Sequence, residues 1–176
     1  MQCTACDEFA KRTMVSVVVT GHEMSGKTCL ALSLAGFSQR DNSIYHETCT
    51  TQYLKADVDG RPWHIWDTPA FNKHDWPAFD VLDEASAIVV CHDGRSEHDP
   101  FDLIRSFDVN KCIIAHTKHA NAGCNLSWMH QYFNTVTSEG LLVPIVPAYN
   151  EVNRLISAIL KKVKPAIRAE TDYVFG

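Results

Sequence analysis

Residues Gly21 to Thr28 read G-H-E-M-S-G-K-T, and that spacing of two glycines, a lysine and a hydroxyl residue suits the binding of a polyphosphate. Gly21 and Gly26 let the backbone turn tightly and bring the N–H groups of Gly21, His22, Glu23, Met24, Ser25 and Gly26 close to phosphate oxygens, an approach that a Cβ would hinder. Lys27 is expected to reach the terminal phosphates as the catalytic cation, and the Thr28 hydroxyl to ligate Mg2+. The stretch from Thr28 and Cys29 to Ala35 has helical character, so its N-terminal dipole would also face the anion. Glu23 lies inside the loop, where a carboxylate turned inward would repel phosphate; an outward rotamer is expected.

Such a loop needs a buried strand to aim it, and the apolar run Val15–Thr20 precedes it directly. After the helix, Ser38 to Gln52 is polar and without apolar period, which reads as a loop beside the phosphates. Tyr53–Val58 and Trp63–Trp66 flank Asp59-Gly60, a dipeptide suited to the positive-φ positions of a hairpin turn; Pro62 is expected to delay the start of the second strand. A short helix is expected over roughly Ala78 to Glu84, a buried strand over Ala87–Cys91, a helix over Phe101–Phe107 entered through Asp99-Pro100, and a strand over Cys112–Ala115. Trp128, Met129, Tyr132 and Phe133 recur at helical spacing, predicting a helix over Leu126–Thr137. Leu141–Val146 reads as the last strand and Val152–Val163 as the closing helix, with Leu155, Ile156, Ile159 and Leu160 on one face. Strands alternating with helices give an α/β chain with a mostly parallel, helix-covered sheet.

The chain has 176 residues and a net charge of −5, enough length for one self-sufficient core and a charge that argues against nucleic acid as a partner. No apolar run is long enough to span a membrane, no signal peptide opens the chain, and neither a prenylation box nor a myristoylation pattern is present. A cytoplasmic protein with no direct membrane anchor is expected. The 7 cysteines are scattered and odd in number, which suits a reducing compartment. Cys3 and Cys6 form a C-x-x-C without the second pair of a zinc site, and His116 with His119 would chelate only on a suitably curled backbone.

A phosphate loop, a Thr-rich loop, a hairpin ending in Asp67-Thr68-Pro69 and a parallel run of strands together resemble the small GTPase domain, a divergent Ras-like member of the P-loop NTPase superfamily. The resemblance covers residues 14–163, leaving an N-terminal extension over 1–13 and a C-terminal tail over 164–176. It implies a three-layer α-β-α fold, with a six-stranded, mostly parallel sheet and one antiparallel edge hairpin strand. It also implies GTP or GDP with Mg2+ as cofactors, slow hydrolysis, a switch role and a protein effector. A switch-loop Thr would add a second hydroxyl to the metal; Thr48, Thr50 and Thr51 are candidates, and spacing to Asp67 favours Thr48. Asp67 matches the family's D-x-x-G aspartate, which holds Mg2+ through water. Thr117-Lys118 stands where the base-reading N/T-K-x-D belongs, and Ala148-Tyr149-Asn150 resembles the loop whose backbone contacts the base oxygen.

Three positions depart from the family pattern. Ala70 replaces the D-x-x-G glycine, though its N–H could still reach a γ-phosphate. Phe71 stands where Ras-type members carry the water-orienting Gln, and Ala120 replaces the guanine-reading carboxylate, a loss of order 1.5–3 kcal/mol. Asp-Thr-Pro and the short third helix look like the GTPases of ethanolamine- and propanediol-utilization microcompartments, while Thr48–Gln52 and Ala148–Asn150 look like immunity-associated, septin-related G domains. The alternatives to a GTPase switch are a pseudo-GTPase interaction module and a P-loop ATPase or kinase.

Overall fold

The computed structural model describes residues 14–37, 48–71, 79–94, 100–117, 134–136, 142–147 and 152–171. In chain order these form β1 (Val15–Gly21), α1 (Lys27–Leu34), β2 (Gln52–Val58), β3 (Arg61–Asp67), α2 (Phe79–Asp83), β4 (Ala87–His92) and α3 (Pro100–Ile104). A 3-10 turn at Val109–Lys111 then leads into β5 (Cys112–His116), β6 (Asn134–Val136), β7 (Leu142–Pro147) and α4 (Val152–Thr171). The strands make one sheet in the order β2-β3-β1-β4-β5-β7-β6. β1 sits between β3 and β4 and runs parallel to both, so every one of its residues is buried and its sequence has no polar face to spare.

The period of two sorts the sheet's side chains onto two cores. On one face Val15, Val17 and Val19 pack with Val89, Cys91, Ile113 and Ala115 beneath Leu30, Ala31 and Leu34 of α1 and Leu155, Ile159 and Val163 of α4. On the other, Val18, Ile88, Val90 and Ile114 meet Leu82 at α2 and Leu103 and Ile104 of α3. Helices on both faces make the expected three-layer α-β-α fold. α1 ends where Gly36 takes φ 82°; the Gly36 N–H donates to Ser33 O at 3.1 Å and the Phe37 N–H to Leu32 O at 2.9 Å, closing the last turn as a Schellman motif. Among the described residues no helix is long and apolar enough to cross a membrane.

The Asp59-Gly60 turn forms as expected, with φ of 53° and 75°. β3, however, begins at Arg61 rather than after Pro62, because the pair Asp57–Pro62 follows the hydrogen-bonded pair that closes a two-residue hairpin. That next pair asks no N–H of the proline. Pairing with β1 starts only at Trp63, so the other side asks none either.

Two other expectations are corrected. Residues 134–136, read as the end of a helix, are an antiparallel strand in which Asn134, Thr135 and Val136 face Pro144, Val143 and Leu142. β-Branched Thr135 and Val136 favour that pleat over a helical turn, and the sheet gains a seventh strand beyond the six expected. The remainder of that expected helix lies outside the described residues. α4 runs on to Thr171, through Pro165 and into the segment read as a tail, although proline there gives no N–H to the preceding turn.

Ile113 is fully buried in β5 beneath α1 and α4. Ile113→Ala is expected to cost about 2–5 kcal/mol, read as a lower urea midpoint at unchanged m-value.

Candidate phosphate-binding site

β1, β3, β4 and β5 all end on the same side of the sheet, and the crevice outside their carboxyl ends is where an open α/β sheet takes its ligand. The 21–28 loop leaves β1 there. Gly21 has φ 146°, and a Cβ on it would lie 2.5 Å from the Cys91 carbonyl oxygen and 2.8 Å from Ser25 Oγ. Gly26 has φ 87°, and a Cβ would meet Thr117 Cβ at 3.2 Å. Both glycines are therefore demanded by the loop's own packing against the ends of β4 and β5. Met24 is left-handed too, at φ 59°, with its side chain exposed.

Three ties hold the loop. The Ser25 N–H donates to His22 O at 3.3 Å, and Lys27 Nζ reaches back across the turn to His22 O at 2.9 Å. The Thr117 hydroxyl donates to Ser25 O and also lies 3.2 Å from His92 O, while the Thr117 N–H donates to His92 O at 2.9 Å. Thr117, expected at the base, is thus a clamp between the phosphate loop and the ends of β4 and β5. Gly26 caps α1 with no side-chain hydrogen bond and no acidic residue occupies the first turn, so the first-turn dipoles have no carboxylate partner and favour an anion. Glu23 points out to solvent, its side chain exposed. Cys29 is an exposed free thiol on α1.

Of the three candidate switch threonines, Thr48 comes to the loop: its hydroxyl is 2.7 Å from the Thr28 hydroxyl and donates to Asp67 Oδ2 at 3.4 Å. Thr50 is exposed and Thr51 half-exposed. Asp67, the last residue of β3, is 1 % exposed. Burial raises its pKa above the ordinary carboxylate value, while the Thr28 hydroxyl, the Lys27 charge and the Thr48 hydroxyl pull it back down. Its other oxygen, Oδ1, is buried without a hydrogen-bond partner.

These groups fit Mg2+. The metal wants hard oxygen ligands in an octahedron at 2.0–2.1 Å, and adjacent ligands of such an octahedron stand about 2.9 Å apart, close to the separation of the two hydroxyls. Among the described residues no cluster of three or more His, Cys, Asp or Glu could hold a metal by itself. Thr28, Thr48 and Asp67 are the side chains that would hold it.

Sequence reasoning named Ser25 within the loop as a site residue, but not Thr20 or Thr68 beside it. Thr20 Oγ1 and Ser25 Oγ are buried without hydrogen-bond partners, and Thr68 bonds back to β1, with its N–H and its hydroxyl both donating to Val19 O at 3.1 Å. A threonine after the Asp67 strand end was the available signal. Ala70 is half-buried beside the site. Lys118, Ala120, Ala148 and Tyr149, expected around the base, lie outside the described residues.

Because burial raises the Asp67 pKa, the metal-free folded chain holds that proton more tightly than the unfolded chain does. Its contribution to stability is therefore fully present below the unfolded pKa and is lost as pH rises through the folded one. Asp67→Asn is expected to raise the melting temperature of the metal-free protein at pH 7 and flatten its dependence between pH 4 and 7, measured by calorimetry in EDTA.

No protein-family profile matches the sequence, and no curated protein sequence matches it. Solved structures do. A chain of the GTP-bound crystal structure of T. brucei IFT22/74/81 superposes with a TM-score of 0.64 at 17% identity, covering 89% of this chain and 98% of that one. The crystal structure of the bacterial selenocysteine-specific elongation factor EF-Sec superposes with a TM-score of 0.64 at 17% identity, covering 86% of this chain and 29% of that one. With the phosphate loop at the end of β1, Asp67 at the end of β3 and the edge hairpin between them, the chain has the fold of the P-loop GTPases.

Proposed function

We propose that this chain is a divergent small GTPase that binds a guanine nucleotide with Mg2+ and hydrolyses GTP slowly as a molecular switch. The observation that carries this reading is the meeting of Thr28, Thr48 and Asp67 beside Lys27, a hydroxyl–hydroxyl–carboxylate set at the mouth of a phosphate loop. The loop N–H groups and the α1 terminus would cradle the phosphates, and Lys27 would exchange its bond to His22 O for the terminal phosphate oxygens. Mg2+, when bound, would neutralise charge on the transferring phosphoryl group. Thr48 would report whether the terminal phosphate is present, because its hydroxyl bonds to Thr28 and Asp67 across a sequence gap that only the folded site closes.

Guanine as the base is supported by the GTP-bound structural neighbour, and it is the finer part of the proposal because Ala120 offers no carboxylate. Kinship with the microcompartment GTPases rests on Asp67-Thr68-Pro69 and the short third helix, and kinship with the septin-related ones on Thr48–Gln52 and Ala148–Asn150. A cytoplasmic setting belongs to the same proposal, supported by the exposed thiol of Cys29, which suits a reducing compartment, as does a protein effector.

A second reading, a nucleotide-binding interaction module without turnover, is favoured by Phe71. Its ring packs against the core under α2 and α3, so it does no work on a water molecule. Lys27→Ala is expected to weaken Mg2+-dependent GTP binding by about 1.5–3 kcal/mol, roughly tenfold to a hundredfold, and to stop slow phosphate release; calorimetry and a single-turnover assay measure the two. Steady release by the wild type and none by the variant removes the second reading. Equal affinity of the variant and wild type would remove the first.

A further inference from the structure

The chain leaving β3 keeps following β1 past the last sheet pair, Val19–Asp67. The Thr68 N–H donates to Val19 O at 3.1 Å, as a parallel ladder requires, but the next bond to β1 is from the Phe71 N–H to Gly21 O at 3.2 Å. A regular ladder would draw that bond from residue 70, since alternate residues face the same neighbour. One extra residue has therefore been inserted at Pro69-Ala70, as in a bulge. Pro69 has no N–H, and the Ala70 N–H bonds to no carbonyl among the described residues.

Both ends of this insertion are fastened. Thr68 is 1 % exposed, and its hydroxyl donates to Val19 O at 3.1 Å and lies 3.2 Å from Pro69 O. Phe71 is fastened twice, by its N–H to the first residue of the phosphate loop and by its ring to the core that holds Leu82 and Leu103. At Ala70 the methyl group further restricts a peptide flip that glycine would allow. The 48–51 segment is held differently. Thr50 is exposed and Thr51 half-exposed, and the side-chain bonds that tie Thr48 to the loop run through its hydroxyl alone.

We infer that Thr68–Phe71 is a fixed wall of the phosphate site, with the Ala70 N–H set in place before any ligand arrives, and that ligand sensing is confined to the single arm at Thr48. This rests on the nucleotide reading above. The bulge removes the Ala70 N–H from the sheet without freeing the chain around it, so the donor is preorganised and its ordering cost is met on folding. A rigid donor distinguishes a third phosphate by position but transmits nothing. The Thr48 hydroxyl, which must leave or keep Thr28 as the metal and terminal phosphate come and go, is the group that moves.

The test is hydrogen–deuterium exchange on the full chain in three states: nucleotide-free, with Mg2+ and GDP, and with Mg2+ and a non-hydrolysable GTP analogue. Thr68 and Phe71 amides are expected to be protected equally in all three, whereas protection over 48–51 rises by about tenfold or more with the triphosphate. Phe71→Leu keeps an anchor in the core and is expected to preserve that protection; Phe71→Ala is expected to lose it without nucleotide. Thr48→Val, which keeps the shape and removes the hydroxyl, is expected to reduce the triphosphate-over-diphosphate preference about tenfold. Free exchange of the Thr68 and Phe71 amides without nucleotide, or protection that appears only with the triphosphate, overturns the fixed wall while leaving nucleotide binding in place. Protected amides in a chain that binds neither nucleotide remove the nucleotide reading, and sensing by Thr48 with it.

Discussion

The site depends first on how closely the backbone of Gly21 lies against the Cys91 carbonyl, where a Cβ would stand 2.5 Å away. That contact lets β1 end flush against β4, so that the following loop turns over the sheet edge and delivers α1 back onto Val15, Val17 and Val19. With any other residue at position 21 the loop would have to lift from β4. Ser25 would then move relative to Thr117, and Lys27 would lose the carbonyl of His22 that now positions its ammonium. The same glycine offers its own carbonyl to Phe71, so one residue joins the phosphate loop, β4 and the segment after β3.

Around that joint the protein stores unfavourable electrostatics rather than strain alone. Asp67 is buried with one oxygen unpartnered, and Thr20 and Ser25 carry buried hydroxyls without acceptors or donors. Unsatisfied buried groups of this kind cost on the order of 1–3 kcal/mol each, a cost that an ordinary core position would have removed by substitution to an apolar residue. Their concentration at the end of one strand bundle is what a binding site requires: polar groups kept dry and aimed, so that a cation and an anion find partners already in place. The two sheet faces provide the rigidity. Buried Val and Ile side chains along β1, β4 and β5, with smaller Ala and Cys between them, hold the strand ends at fixed spacing.

Much of this was legible in the sequence because the relevant signals are local. The G-x-x-x-x-G-K-T spacing, the Asp59-Gly60 turn and the unbroken apolar runs at Val15, Ala87 and Cys112 each specify a backbone geometry within a few residues, and the strands and turn lie where those signals place them. Asp67 and Thr48 were placed by resemblance, and the folded chain brings them to Thr28. What was not legible depends on partners distant in sequence. The bond from the Thr117 hydroxyl to Ser25 O exists only because β5 carries that residue to the loop, and the packing of the Phe71 ring against the core under α2 and α3 is likewise set by distant residues. The strand at Asn134–Val136 was hidden by the aromatic spacing upstream of it, since three residues are too few to show a period of two against a helical pattern. Pro62 misled because its cost depends on which hydrogen-bond pair it occupies, a matter of hairpin register rather than of proline content.

The departures from the small GTPase pattern share a direction. Ala70 and Phe71 both restrict the segment after Asp67, one through its backbone and the other by packing a ring against the core, while the hydroxyls of Thr28 and Thr48 still meet beside the 21–28 loop. The central claim is a Mg2+-dependent guanine-nucleotide site, and the most direct test is to identify what the purified protein carries. Mass spectrometry of the nucleotide released on denaturing the full chain should find GDP or GTP approaching one per chain, depleted by prior dialysis against EDTA and absent from Lys27→Ala. An adenine nucleotide in its place, or no nucleotide from a folded preparation that also fails to bind added GTP with Mg2+, would contradict it.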